Sequence, residues 1–171
     1  MEQSTHKGIA KKIEVAANIG IVVVALLAAG FFVKSHFARP PEPRQTIPIG
    51  SKLEIKGVDW GAKRATLVLA LSTNCRYCTE SAPFYRELTK NAKDKQVRTI
   101  AIFPQPVQDA SAYLKNEDMQ VDEIRQTPLS AIQITGTPTL LLIDSKGTVQ
   151  GVWIGKLPAE KEKDVLAKLT S

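Results

Sequence analysis

Residues 65–78 read ATLVLALSTNCRYC, and this stretch decides the fold. Ala65–Ser72 is a nearly continuous apolar run, the pattern of a central strand buried on both faces rather than of an edge strand with one wet face. Three residues later comes Cys75, and Cys78 follows after Arg76 and Tyr77. The pair therefore sits where a buried strand hands over to a helix. A cysteine at a helix N-terminus faces backbone N–H groups without intrahelical partners, which favour its thiolate. Two intervening residues bring the second sulfur one turn further in, within reach of the first. Cys75 is expected to be the exposed nucleophile, and Cys78 the buried residue that resolves a mixed disulfide. Arg76 adds positive charge beside Cys75 and is expected to lower its pKa further. Three inert readings stay open for a CxxC pair: a static structural disulfide, half of an intermolecular metal site, or a redundant pair on a quiet scaffold.

Working outward, Lys52–Lys56 (KLEIK) alternates like a short edge strand, and Val97–Phe103 (VRTIAIF) reads as a second buried strand. Glu80–Asn91 has helical spacing with Phe84, Leu88 and Tyr85 inward, and Asp109–Asn116 reads as another helix. The region from there to Gln133 is mixed in pattern. Thr139–Asp144 (TLLLID) and Val149–Ile154 (VQGVWI) are two strands joined by a turn at Ser145-Lys146-Gly147. Pro158–Leu169 closes the chain as an amphipathic helix. The order β-α-β-α, then β-β-α, implies an α/β sandwich with a mixed sheet.

The N-terminal part has another character. Val15–Val33 reads VAANIGIVVVALLAAGFFV, flanked by Lys11, Lys12 and Lys34. At ~1.5 Å per residue it spans roughly 28 Å, close to the hydrocarbon thickness of a bilayer. A cleaved signal peptide is the competing reading, but the apolar region is long for one and KSHFARPP offers no good small-x-small cleavage site. The expected organisation is a tail over 1–14, a transmembrane anchor over 15–33, a Pro-rich spacer over 34–48 and a domain over 49–171. Lysines and arginines balance on the two sides of the apolar segment, so positive-inside counting gives no orientation.

Charge and histidine content narrow the function. The net charge is +6, and half of it flanks the apolar segment. The remaining +3 is spread among interleaved acids and bases, a poor footprint for nucleic acid. Both histidines, His6 and His36, precede the domain. A Cys–His dyad or a Cys/His zinc site inside it is therefore excluded, and no metal or other cofactor is expected. Cys78 is followed by Thr79, so the c-type haem pattern fails.

Ile134-Thr135-Gly136-Thr137-Pro138-Thr139 stands directly before a strand, where a proline is most simply a turn residue. Taken together, strand-then-CxxC, Pro83 in the following helix, Gly-Thr-Pro-Thr at 136–139 and the strand–turn–strand LLLIDSKGTVQGVWIG resemble the thioredoxin superfamily, in particular bacterial membrane-anchored TlpA- and ResA-like oxidoreductases. The resemblance covers roughly Ile49 to Leu169. It implies a three-layer α/β/α sandwich with a mixed sheet, a cis peptide before Pro138, and a Thr137 backbone that pairs with a bound substrate chain like an added strand. It implies an extra helix and strand between Cys78 and Pro138. It also implies thiol–disulfide exchange with protein partners, in a domain held on the extracytoplasmic side of a bacterial inner membrane by a single span.

The chain departs from that pattern in places. No proline lies between the cysteines, and thioredoxin's buried acid would fall at Leu69. Where anchored relatives often carry a Glu before the helical proline, this chain has Ser81, leaving Glu80 as the candidate proton acceptor for Cys78 and Asp59 as a weaker one. Either acid is as simply read as a solvated surface group. Trp60, Tyr77 and Phe84 are candidates for an apolar rim around the sulfurs, with Arg76 and Tyr77 in contact with substrate; for Phe84 a core position is the simpler reading, as it is for Trp153. A peroxiredoxin-like peroxidase is the second enzyme reading: Thr73 is present, but the proline that chemistry uses before its cysteine is missing. A binding module built around an inert disulfide is the non-enzymatic one.

Overall fold

The computed structural model describes residues 19–30 and 47–169. The chain divides into two units, Met1–Arg44 and Gln45–Ser171. In the first, residues 19–30 are helical and carry exposed Ile19, Ile21, Val22, Val23, Val24, Leu26 and Leu27. Among the described residues no helix is long and apolar enough to cross a membrane. The expected tail over 1–14, the two ends of the expected 15–33 span and nearly all of the 34–48 spacer lie outside the described residues.

The second unit is built on one sheet. Strand β1 (Ala65–Ala70) is flanked by β2 (Arg98–Phe103) and β4 (Thr139–Asp144), with β3 (Glu123–Gln126) and β5 (Val149–Ile154) outside them, in the order β3-β2-β1-β4-β5. β1, β2 and β3 are parallel, whereas β4 runs antiparallel to β1 and β5 antiparallel to β4. The sheet is mixed, as the element order implies. All six residues of β1 are buried. Their side chains nonetheless alternate: Leu67 and Leu69 join one apolar cluster, Val68 and Ala70 the other.

One face of the sheet is covered by helices. The chain leaves β1 into α1 (Arg76–Glu80) and α2 (Ala82–Asp94), then makes β2, α3 (Val107–Asn116) and β3, and ends in α4 (Ala159–Lys168). The helix expected at 80–91 is α2, two residues later at its start, and the short α1 precedes it as a separate helix. Pro83, at the second position of α2, has no N–H to donate to the carbonyl of Thr79, so the chain breaks at Ser81. Tyr85, Leu88 and Ala92 of α2, Ala110 and Leu114 of α3, and Val165 of α4 pack against Leu67, Leu69, Ala101, Phe103, Leu140 and Leu142. Trp153 of β5 belongs to this cluster, its Nε1 donating to Asp164 Oδ2 at 3.0 Å.

The opposite face corrects the expectation of three layers. No described α-helix covers it. It is closed by Ile47, Leu53 and Ile55 of the incoming chain, by Trp60, and by a short 3-10 turn, Leu129–Ile132, that contributes Ile132 and is followed by Ile134. The expected edge strand at 52–56 reduces to one bridge, Lys52 to Thr148. β3 is the strand the mixed region concealed. It is polar; a salt bridge of Glu123 to Arg98 ties it to β2, and Arg125 of the same strand pairs with Glu123 as well.

The β4–β5 turn closes on Asp144, whose Oδ1 accepts from the N–H of Lys146 at 2.8 Å and of Thr148 at 2.9 Å. Gly147 there has φ +78°, and any side chain on it would run into the Trp60 ring.

Candidate active site

Strand polarity gathers the site. Cys75 follows the C-terminal end of β1, Gln105 the C-terminal end of β2, Pro138 precedes the N-terminal end of antiparallel β4, and Lys156 follows the C-terminal end of β5. All four therefore lie at one end of the sheet.

Cys75 and Cys78 are joined as a disulfide, their Cα atoms 5.2 Å apart. Cys75 is the N-cap of α1: its backbone is extended, and its Sγ accepts from the N–H of Cys78 at 3.1 Å. That N–H, which also donates to the Cys75 carbonyl at 3.0 Å, favours negative charge on the capping sulfur at the helix start. Cys75 is partly exposed and Cys78 is fully buried. The asymmetry gives one sulfur that a partner can reach and one that it cannot.

The loop before Cys75 is held from β2's side. Gln105 Nε2 donates to Ser72 Oγ at 2.8 Å, and its Oε1 accepts from the N–H of Thr73 at 3.4 Å. Thr79 Oγ1 lies 3.4 Å from the Tyr113 hydroxyl, tying α1 to α3, while burial raises the Tyr113 pKa. Sequence reasoning missed Gln105. Its one local sign is a position between Pro104 and Pro106 just past a buried strand.

Across the site the Thr137–Pro138 peptide is cis. The Pro138 carbonyl accepts from the N–H of Gly155 at 2.7 Å, and Thr139 Oγ1 donates to the Gly136 carbonyl at 2.8 Å. Thr137 makes no hydrogen bond among the described residues.

The remaining candidates divide. Tyr77 and Arg76 are exposed on α1 beside the sulfurs. Phe84 is a core residue, its ring tilted by 51° against that of Tyr85. Trp60 is not part of a rim. It precedes β1, at the far end of a six-residue strand from Cys75, a distance of roughly 20 Å. Asp59 shares that end and caps the turn at Trp60–Ala62 by accepting from the N–H of Gly61 at 2.9 Å, which removes it from the chemistry. Leu69 is fully buried, with no acid in its place. Glu80 lies on α1 and is paired with Arg76 and with Lys156, a residue the sequence did not single out. Both contacts hold its carboxyl below the usual carboxylate range, the Lys156 bond most strongly, which makes it a weak base. Among the described residues no three Cys, His, Asp or Glu side chains converge to hold a metal ion.

A family model described as a thioredoxin-like domain matches residues 53–170. The chain belongs to the thioredoxin-like family. A search of curated protein sequences finds no match. Solved structures share the fold at low identity. A protein designated thiol:disulfide interchange protein DsbE, from Chlorobium tepidum, is 20% identical with a TM-score of 0.59, covering 74% of this chain and 100% of its own. StoA from Bacillus subtilis is 16% identical with a TM-score of 0.51, covering 71% and 96%. Peroxidoxin BcpB from Mycobacterium tuberculosis is 15% identical with a TM-score of 0.57, covering 72% and 97%. The thioredoxin-like domain here carries the Cys75–Cys78 pair. Because a peroxidoxin shares the fold too, the scaffold by itself does not choose the reaction.

Proposed function

We propose that this chain exchanges a dithiol for a disulfide with cysteine pairs of partner proteins. The observation that carries the reading is the unequal, mutually bonded pair: a partly exposed Cys75 capping α1 and a fully buried Cys78. The proline that peroxidatic chemistry uses shortly before its cysteine is missing from Leu71-Ser72-Thr73-Asn74.

From the dithiol form, the Cys75 thiolate attacks one sulfur of a partner disulfide. That bond breaks, a mixed disulfide forms, and the partner's departing thiolate takes up a proton. Cys78, having lost its proton, attacks the Cys75 sulfur and releases the second partner thiolate, which is protonated in turn. Two electrons and two protons end on the partner and the chain is left as the disulfide. Run backwards, the same steps oxidise a partner dithiol. The unpaired Thr137 backbone beside cis Pro138 supports docking of the partner chain as an added strand. Tyr77 and Arg76 are the side chains such a chain meets first.

We also place this domain at a bacterial inner membrane, on its extracytoplasmic side. The apolar run 15–33 and the oxidising character of that compartment support this. Resistance of membrane association to alkali, and labelling of reduced cysteines by an impermeant maleimide in intact cells, test it; a freely soluble, unlabelled protein refutes it.

The exchange reading is tested by turnover of a model disulfide. Cys75→Ser is expected to abolish turnover, and Cys78→Ser to accumulate a mixed disulfide visible by intact mass. Unchanged turnover in Cys75→Ser refutes the reading. The direction of exchange follows from the potential of the couple: near about −270 mV it acts as a reductant, near about −120 mV as an oxidant.

A further inference from the structure

Arg76 does not stand free beside Cys75. Its Nε donates to Glu80 Oε1 at 2.6 Å, and Lys156 Nζ donates to Glu80 Oε2 at 2.9 Å. The two oxygens of one carboxylate are divided between cations from different parts of the chain. Arg76 opens α1, one residue from the nucleophile. Lys156 follows Gly155, the residue whose N–H holds the Pro138 carbonyl. Glu80 thus ties the cysteine helix to the segment that supports the cis peptide, and it does so with charge.

We propose that Glu80 is a positioning residue that sets the redox poise of the Cys75–Cys78 couple, by engaging Arg76 and Lys156 and so withholding two positive charges from the Cys75 thiolate. The proposal rests on the exchange function above. A thiolate next to uncompensated cations is stabilised, and stabilising the reduced form makes a couple more oxidising. Glu80 opposes this and keeps the couple more reducing than Cys-Arg-Tyr-Cys alone makes it. The same two cations keep Glu80 ionised, so its charge is present across the working pH range. Arg76, Lys156 and Glu80 side chains are 86%, 50% and 30% exposed, so the effect is moderate and salt-sensitive.

The test equilibrates full-length protein with glutathione, in which the chain's disulfide plus two GSH gives the dithiol plus GSSG. The dithiol fraction is counted by alkylation and intact mass. At low salt, Glu80→Gln is expected to shift this equilibrium toward the dithiol by roughly three- to tenfold, which corresponds to about 15–30 mV at 29.6 mV per tenfold. The pH profile of Cys75 alkylation should move to lower pH alongside it. The shift should shrink at 0.5 M salt, and adding Arg76→Gln and Lys156→Gln to the variant should reverse it. A purely structural role would lower the melting temperature without these signatures. An equilibrium within twofold of wild type, a shift toward the disulfide, or a shift indifferent to salt overturns the proposal. If wild type shows no reversible two-electron step, the exchange reading fails and takes this proposal with it. If wild type titrates normally beside an unshifted Glu80→Gln, only the role of Glu80 fails.

Discussion

Gln105→Ala tests whether the nucleophile's loop is set from β2. The side chain is partly buried and spans to Ser72 Oγ at 2.8 Å and the Thr73 N–H at 3.4 Å. A net intramolecular hydrogen bond contributes about 0.5–1.5 kcal/mol, and the longer contact belongs at the bottom of that range. Together they should stabilise the loop by roughly 1–1.5 kcal/mol, a factor of about five to twelve in the opening equilibrium. Amide hydrogen exchange of Thr73 in the disulfide form should accelerate by that factor, with Leu67 and Ile100 in the central strands nearly unchanged. Turnover of a model disulfide should fall by no more than the same factor, because the sulfurs themselves are intact. The melting temperature should drop by only about 3–6 °C for a domain of this size. Unaltered Thr73 exchange refutes the reasoning, and so does acceleration spread evenly through the sheet, which would make Gln105 a global rather than a local support.

Three further outcomes follow from the packing. Leu88→Ala, at a fully buried position of α2, should cost about 2–5 kcal/mol in denaturant unfolding, and a loss under 1 kcal/mol would contradict the core as described. Trp60→Ala should lower stability by roughly 1–3 kcal/mol, as expected of a partly buried aromatic. It should leave turnover of the model disulfide at its wild-type value, and a large loss of activity would return Trp60 to the site. Asp144 is held below its ordinary carboxyl range, chiefly by the Thr148 N–H. A lowered folded-state pKa stabilises above the unfolded value and is lost as pH falls through the folded one. Asp144→Asn should therefore melt below wild type near neutrality, and the two should converge as pH falls through the lowered carboxyl range of Asp144; a gap that persists in acid refutes the assignment.

What the sequence displays and what it hides have physical reasons. β1, β4 and β5 are legible because their apolar runs are local and bounded by turn residues; β4 and β5 fall where TLLLID and VQGVWI place them. β3 is not legible because EIRQ has no apolar alternation and depends on partners distant in sequence, Arg98 among them. The break between α1 and α2 is written in Pro83, whose missing N–H stops a continuous helix. The cysteine pair and the cis Thr137–Pro138 peptide are reached by motif and resemblance. Gln105 and Lys156 are not: apart from the prolines that flank Gln105, nothing local marks a residue that acts 33 or 76 positions away. That no α-helix among the described residues covers the second face is hidden for a related reason: Ile132 and Ile134, on and just after a short 3-10 turn, are apolar enough to cover a sheet.

The two rims of an open sheet offer backbone along which copies of a chain pair. On one rim, β3 is only four residues long and carries Glu123 and Arg125, the latter reaching out to the carbonyls of Lys56 and Gly57. On the other, the incoming chain bonds the start of β5, Gly50 and Ser51 clasping Val149. Brevity and charge guard the first border and a strap of backbone guards the second, so fibril-like stacking is discouraged while Cys75, at the end of the sheet, stays partly exposed.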